Sequence, residues 1–240
     1  MLKSWDARRD IIVAGDDKKT IDFAKEHWVH SAQKAIQQKG RFAVALSGGS
    51  TPKAIFEKII FEPLDWSKIW LFWSDERAVP PDSPDSNYHM AMQFFNQVPI
   101  PPSQIFRMVA EKNIEQNALD YEEKIKNYVG NHLFDLVMLG VGEDGHTASL
   151  FPHTAALQVN NRLVVPNYVE TKKAWRMTFT FSCINESFHT CIYAIGPAKK
   201  MIVPQVLQAP IQSEFPSSRI GTAQKKALWI LDSEAASNLK

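Results

Sequence analysis

The sequence predicts an α/β fold built on a mostly parallel, partly mixed sheet with helices on both faces. Three observations carry this. Short, nearly uninterrupted apolar runs at 42–46, 69–73, 134–139, 190–195 and 227–231 have the length of strands buried on both sides. Stretches with helical periodicity separate several of them, as βαβ connections require. Several runs end in glycine-rich or charged turns, the place where open α/β sheets present residues to ligands.

Taken in chain order, Ile21, Ala24, Trp28, Ala32 and Ala35 mark the apolar face of a first amphipathic helix, followed by the strand 42–46. Ser47-Gly48-Gly49-Ser50-Thr51-Pro52 is a small-residue turn leading into the helical pattern 54–59. Pro52 suits a first helical turn, where a missing N–H costs little. After the strand 69–73, Trp73-Ser74-Asp75-Glu76-Arg77 opens a loop reaching Ser86-Asn87-Tyr88. The proline-rich stretches 79–84 and 98–102 are short enough to be loops. A second amphipathic helix follows, with Ile114, Ala118, Tyr121, Ile125 and Tyr128 on one face. The strand 134–139 then delivers Gly140-Val141-Gly142-Glu143-Asp144-Gly145-His146-Thr147. Arg176-Met177-Thr178-Phe179-Thr180-Phe181 alternates, as a strand at a sheet edge or in an antiparallel pair does.

The 240 residues are 45% apolar and 22% charged, ample for a substantial core, and they read as one domain over residues 1–240. Lys and Arg number 27 against 26 Asp and Glu, a formal charge of +1, so no global field favours nucleic acid or an acidic membrane. Any anion site must be local. The amino terminus lacks the apolar core of a secretory signal, and no run approaches the roughly 18 apolar residues of a membrane span. Cys183 and Cys191 are too few for a disulfide framework and read as buried thiols in a reducing, cytoplasmic setting.

Three strand ends offer chemistry. The turn from Gly48 to Thr51 pairs glycines, which let a bound group approach the backbone, with Ser50 and Thr51 hydroxyls and free N–H donors at a helix start. A capped turn without a ligand would use the same residues. Gly140 to Gly145 has the spacing of a dinucleotide fingerprint, yet Glu143 and Asp144 would stand where a pyrophosphate should lie, and Pro152 would end a following helix after about two turns. Those glycines instead bend the chain so that Asp144 and His146 face the sheet's mouth. His146 is the candidate general base, because an imidazole is largely unprotonated near neutral pH. Either Asp144 or Asp75 could fix its tautomer. Arg77 offers a planar donor fork, and Arg176 and Lys199 could add positive charge for a phosphate. The remaining histidines, His132 among them, are scattered without a metal-ligand spacing, and no cofactor or metal is expected.

These residues resemble the 6-phosphogluconolactonase family. The likeness rests on residues 46–52, on Trp73-Ser74-Asp75-Glu76-Arg77 with Ser86-Asn87, and above all on residues 140–152. Arg176-Met177-Thr178, Gly196 with Lys199, and Trp229-Ile230-Leu231-Asp232 extend it toward the carboxyl end. The resemblance implies a Rossmann-like fold and metal-independent hydrolysis of 6-phosphoglucono-δ-lactone in the oxidative pentose phosphate pathway. It implies His146 as the base activating water, the turn from Gly48 to Thr51 around the substrate, and polar or anionic contacts for Arg77, Arg176 and Lys199. Asp144 and Asp75 are candidate catalytic partners and Gly142 a substrate contact. The expected partner is a small sugar phosphate lactone, not a nucleic acid or a membrane, for a monomer or small homo-oligomer. Family members commonly carry prolines before the arginine matched by Arg176, where this chain has Lys172-Lys173-Ala174-Trp175.

Overall fold

The computed structural model describes residues 2–130 and 134–239, so His132 lies outside the described residues. Along the chain run β1 (Lys3–Ser4), β2 (Arg9–Val13), α1 (Asp17–Lys39), β3 (Phe42–Leu46), α2 (Ser50–Ile59), β4 (Ile69–Trp73), β5 (Asp75–Arg77) and α3 (Asn87–Phe95). There follow α4 (Ile114–Tyr128), β6 (Leu136–Gly140), β7 (Val164–Val169), β8 (Ala174–Phe179), α5 (Phe181–Asn185), β9 (Thr190–Ala194), α6 (Ile202–Gln208) and β10 (Ala227–Leu231). The main sheet has the order β1-β2-β10-β9-β6-β3-β4. Within it, β1 alone runs antiparallel to its neighbour.

Helices cover both faces, for a reason visible in the strand register. Phe42 meets the edge of Trp28 from α1 at 5.1 Å between ring centroids. Ala45 pairs with Phe72, which puts Phe72 on the other face. There it meets Phe106 at 4.4 Å and Tyr121 of α4 at 6.0 Å. All five residues of β3 are buried as a result. Each of these aromatic rings contributes about 1.5–3 kcal/mol relative to an exposed position.

Boundaries depart from the sequence reading where side chains redirect the backbone. α1 starts at an Asp16 cap whose carboxylate accepts from Lys19 N, and ends at Gly40 with φ 75°. β6 begins at Leu136 rather than 134. Asp135 turns its carboxylate to the neighbouring elements instead, accepting from Ala43 N at 2.8 Å and from Lys39 Nζ at 2.6 Å. The alternating strand stops at Phe179, because Thr180 caps α5 by accepting from Cys183 N.

The alternating segment does lie in antiparallel pairs, within a second sheet of order β5-β8-β7. One expectation needs correction. Residues 75–77, read as a loop, form a strand of that sheet. Ahead of Arg176, Glu170–Lys172 and a left-handed Lys173 (φ 49°) turn the β7–β8 hairpin. Both cysteines are free and buried, and burial pushes the Cys191 thiol up to about 12. No helix among the described residues is long and apolar enough to cross a membrane.

Candidate active site

Strands β9, β6, β3 and β4 are neighbours and parallel, so their carboxyl ends lie side by side. They open into one cavity of about 260 Å³. Each strand supplies one wall: the turn Ser47 to Pro52 after β3, Asp75 and Arg77 after β4, Gly140 to Gly142 with His146 and Ala148 after β6, and Lys199 after β9.

His146 is held from three sides. Its Nδ1 lies 2.5 Å from Asp144 Oδ1, and the same oxygen accepts from His146 N at 3.1 Å. The ring stacks on Phe151, with centroids 4.0 Å apart at 18°. An ionised carboxylate can only accept, so Asp144 fixes the proton on Nδ1 and leaves Nε2 as the basic nitrogen. Burial pushes the Asp144 carboxyl up, but the hydrogen bonds from His146 outweigh it and hold the group below its usual value. The backbone makes this possible through Gly142. A Cβ there would stand 2.1 Å from His146 Nδ1 and 2.7 Å from Asp144 Oδ1. No crossover helix follows the glycines from Gly140 to Gly145, in keeping with the rejected dinucleotide reading. Residues 147–150 form a tight turn instead, with Thr147 bridged to Leu150 and Ala148 at φ 47°.

Asp75 does something different. It is buried, its Oδ2 accepts from Ser149 Oγ at 2.6 Å, and Asn87 Nδ2 donates to its carbonyl at 2.9 Å. Ser149 N in turn donates to Thr178 Oγ1 at 3.2 Å, and Ser149 O accepts from Asn167 Nδ2 at 2.8 Å. The antiparallel sheet thereby braces the turn that follows His146. Between Asp144 and Asp75, the sequence's open choice of orienting acid, the geometry selects Asp144.

Glu76 carries a role that sequence reasoning missed. Its buried carboxylate accepts from Arg77 N, Asn87 N, Tyr88 N and Ser86 Oγ at 2.8–2.9 Å, anchoring the start of α3. Burial pushes this carboxyl up despite those four donors. Asn87 is thus fixed at the cavity wall, with its Oδ1 so near Gly48 that a Cβ on Gly48 would lie 1.8 Å away. A glycine is required there by close approach rather than by a special dihedral.

Positive charge gathers where β5 meets β8. Arg77 and Arg176 face each other directly in the antiparallel register. Among the described residues neither guanidinium forms a salt bridge; Arg77 donates to Asp85 O and Arg176 to Trp175 O. Like charges set opposite each other oppose folding unless an anion is shared between them. Burial, then the Arg77 charge, pushes the Arg176 guanidinium below its ordinary value. On the cavity's other flank stands the half-buried Lys199. At its floor, α2 starts at Gly49 with no side-chain cap, so its first N–H groups are open to a ligand.

Of the residues singled out from sequence, all line the cavity except Asp144, which stands behind His146, and Arg176, which stands beside Arg77. Ser47, Asn87, Ala148 and Tyr193 line it too. Asn87 follows the Ser86 cap, a signal that was present in the sequence. Tyr193, inside an apolar strand, gave none.

A family model described as glucosamine-6-phosphate isomerases/6-phosphogluconolactonase matches residues 15–229. The chain belongs to this family. It is 43% identical to a 6-phosphogluconolactonase of Chlamydia pneumoniae over 220 residues, covering 90% of this chain and 84% of that one. It is 42% identical to a 6-phosphogluconolactonase of Chlamydia muridarum over 232 residues, covering 95% and 90%. A solved 6-phosphogluconolactonase from Trypanosoma cruzi superimposes with a TM-score of 0.87 at 28% identity, covering 100% of this chain and 99% of that structure.

Proposed function

We propose that this chain hydrolyses 6-phospho-D-glucono-1,5-lactone to 6-phospho-D-gluconate, with His146 as the general base. The observation that carries the reading is the His146–Asp144 pair, at 2.5 Å on the wall of a cavity flanked by cations that form no salt bridge among the described residues. The family names and the match to 6-phosphogluconolactonases across nearly the whole chain support the choice of substrate.

In this mechanism the 6-phosphate sits against Arg77, reinforced by Arg176, and the sugar lies across the turn from Gly48 to Thr51. The strand ends of β4 and β6 are two spacings apart, roughly 10 Å, a span suited to a six-carbon sugar phosphate. That places C1 beside His146. Nε2 takes a proton from water as the water oxygen bonds to C1, and the carbonyl oxygen becomes an alkoxide. Lys199 and the open N–H groups of α2 stabilise that charge. Collapse breaks the bond between C1 and the ring oxygen, His146 returns the proton to the departing oxygen, and the new C1 carboxylic acid releases its proton to solvent as the gluconate. Water, one imidazole and fixed donors supply every proton and charge in this scheme, so it runs without a metal or cofactor. Asp75 holds the turn and takes no proton from substrate. The buried unpaired thiols fit a cytoplasmic enzyme.

The test is direct. Purified protein should open the lactone well above the spontaneous rate and release no ammonia from glucosamine 6-phosphate. Ammonia release with no acceleration of lactone opening would reverse the assignment toward the deaminase branch of the family.

A further inference from the structure

A second cavity, of about 270 Å³, opens at the opposite edge of the molecule, where the strands of the main sheet begin. The later turns of α1 form one wall, Asp135 ahead of β6 a second, and Phe188 with His189 ahead of β9 a third. Its polar lining is mostly basic. Three imidazoles, His27, His30 and His189, and two ammonium groups, Lys34 and Lys39, face one carboxylate. That carboxylate is already taken, by Lys39 Nζ at 2.6 Å and Ala43 N at 2.8 Å. Lys34 has no salt-bridge partner among the described residues. His27 turns Nδ1 toward the buried Cys191 Sγ at 3.8 Å, which leaves Nε2 for the cavity.

We propose that this cavity is a second anion site, remote from the catalytic one, that takes a tetrahedral oxyanion such as the phosphate of a phosphorylated small molecule. Donors come from α1, through His27, His30 and Lys34, and from His189 on the loop ahead of β9, so an ion seated between them meets donors from two directions. A metal fits less well, because no three His, Cys, Asp or Glu side chains among the described residues converge as ligands. Without an anion, burial and then the neighbouring His189 and His30 push the His27 imidazole down to about 4. Burial, Lys34 and Lys39 likewise lower His189, against the opposing pull of Asp135. A dianion between these imidazoles opposes that lowering by attraction, so protons enter with it. The Cys191 thiol, pushed up to about 12, stays protonated throughout.

Sulfate is the first probe, since it keeps one charge state over the range studied, and glycerol 3-phosphate is the second. Calorimetry and histidine NMR on an Arg77→Ala/Lys199→Ala variant silence the catalytic cavity. Sulfate should bind there with proton uptake, shift the His27 and His189 signals, and tighten by about tenfold or more from pH 7.5 to 5.5. Lys34→Glu should weaken binding at least about tenfold while lactone opening in the otherwise native chain stays unchanged. Binding of glycerol 3-phosphate as well would identify a phosphorylated metabolite as the occupant, and sulfate binding alone a free inorganic anion. Sulfate affinity that is flat with pH and indifferent to Lys34→Glu, or that vanishes with Arg77 and Lys199, would overturn the proposal.

Discussion

Replacing Gly142 by Ala should disable the site while leaving the fold standing. Gly142 is not among the glycines held at positive φ, so an alanine can adopt its backbone without strain. The obstacle is space. The new Cβ would lie 2.1 Å from His146 Nδ1 and 2.2 Å from Cε1, and real Cβ atoms essentially never approach closer than 3.0 Å. The ring must therefore move by roughly 1 Å. It cannot do so and keep both its 2.5 Å contact with Asp144 and its stacking on Phe151. A 1 Å misplacement of a reacting group costs about 10²-fold in rate. In a lactone-opening assay corrected for spontaneous hydrolysis, kcat should fall by about that factor, with KM and the urea midpoint close to those of the parent. Unchanged kcat in a folded Gly142→Ala protein would mean that the His146–Asp144 geometry is not what sets the rate.

Three further perturbations probe the surroundings. Glu76→Gln keeps one acceptor oxygen and turns an amide toward two of the four donors, so urea unfolding should register a loss of about 2–5 kcal/mol. His27→Leu should flatten the acid limb of stability. A histidine whose pKa drops from 6.5 to about 4 on folding leaves the unfolded chain with more bound protons between those pH values, so stability rises with pH there. Removing it should erase roughly 2–3 kcal/mol of pH dependence between pH 4 and 7, measured without sulfate or phosphate. Ser149→Ala takes the hydroxyl from buried Asp75; stability should drop by roughly 2 kcal/mol and kcat/KM by about tenfold, and an unchanged kcat/KM would show that this brace does not reach His146.

Five strands of the main sheet were legible because they are largely buried and so are written as apolar runs bounded by turns, whereas the more exposed β1 and β2 gave no such run. The site was legible in outline for the same reason, since glycines and charged residues stood where those runs ended. What escaped was set by contacts distant in sequence. Asp75-Glu76-Arg77 has no strand composition; it is a strand only because β8 lies beside it, in a register that sequence does not state. Glu76 reads as a surface acid until its four donors are seen. Asp144 and Asp75 were equivalent on paper, and a buried serine 74 residues along the chain from Asp75 separates their roles. Two antiparallel components, the β1 edge and the small sheet, were anticipated only as a mixed sheet, because alternation signals one solvated face and not which sheet a strand joins.

The most direct test of the chemistry is the turnover of His146→Gln on 6-phosphogluconolactone, measured against the parent protein. A glutamine keeps a polar side chain in place but has no basic nitrogen. Turnover should fall by about 10²-fold or more while the variant still binds 6-phosphogluconate as the parent does. Turnover equal to the parent's would contradict the role given to this imidazole.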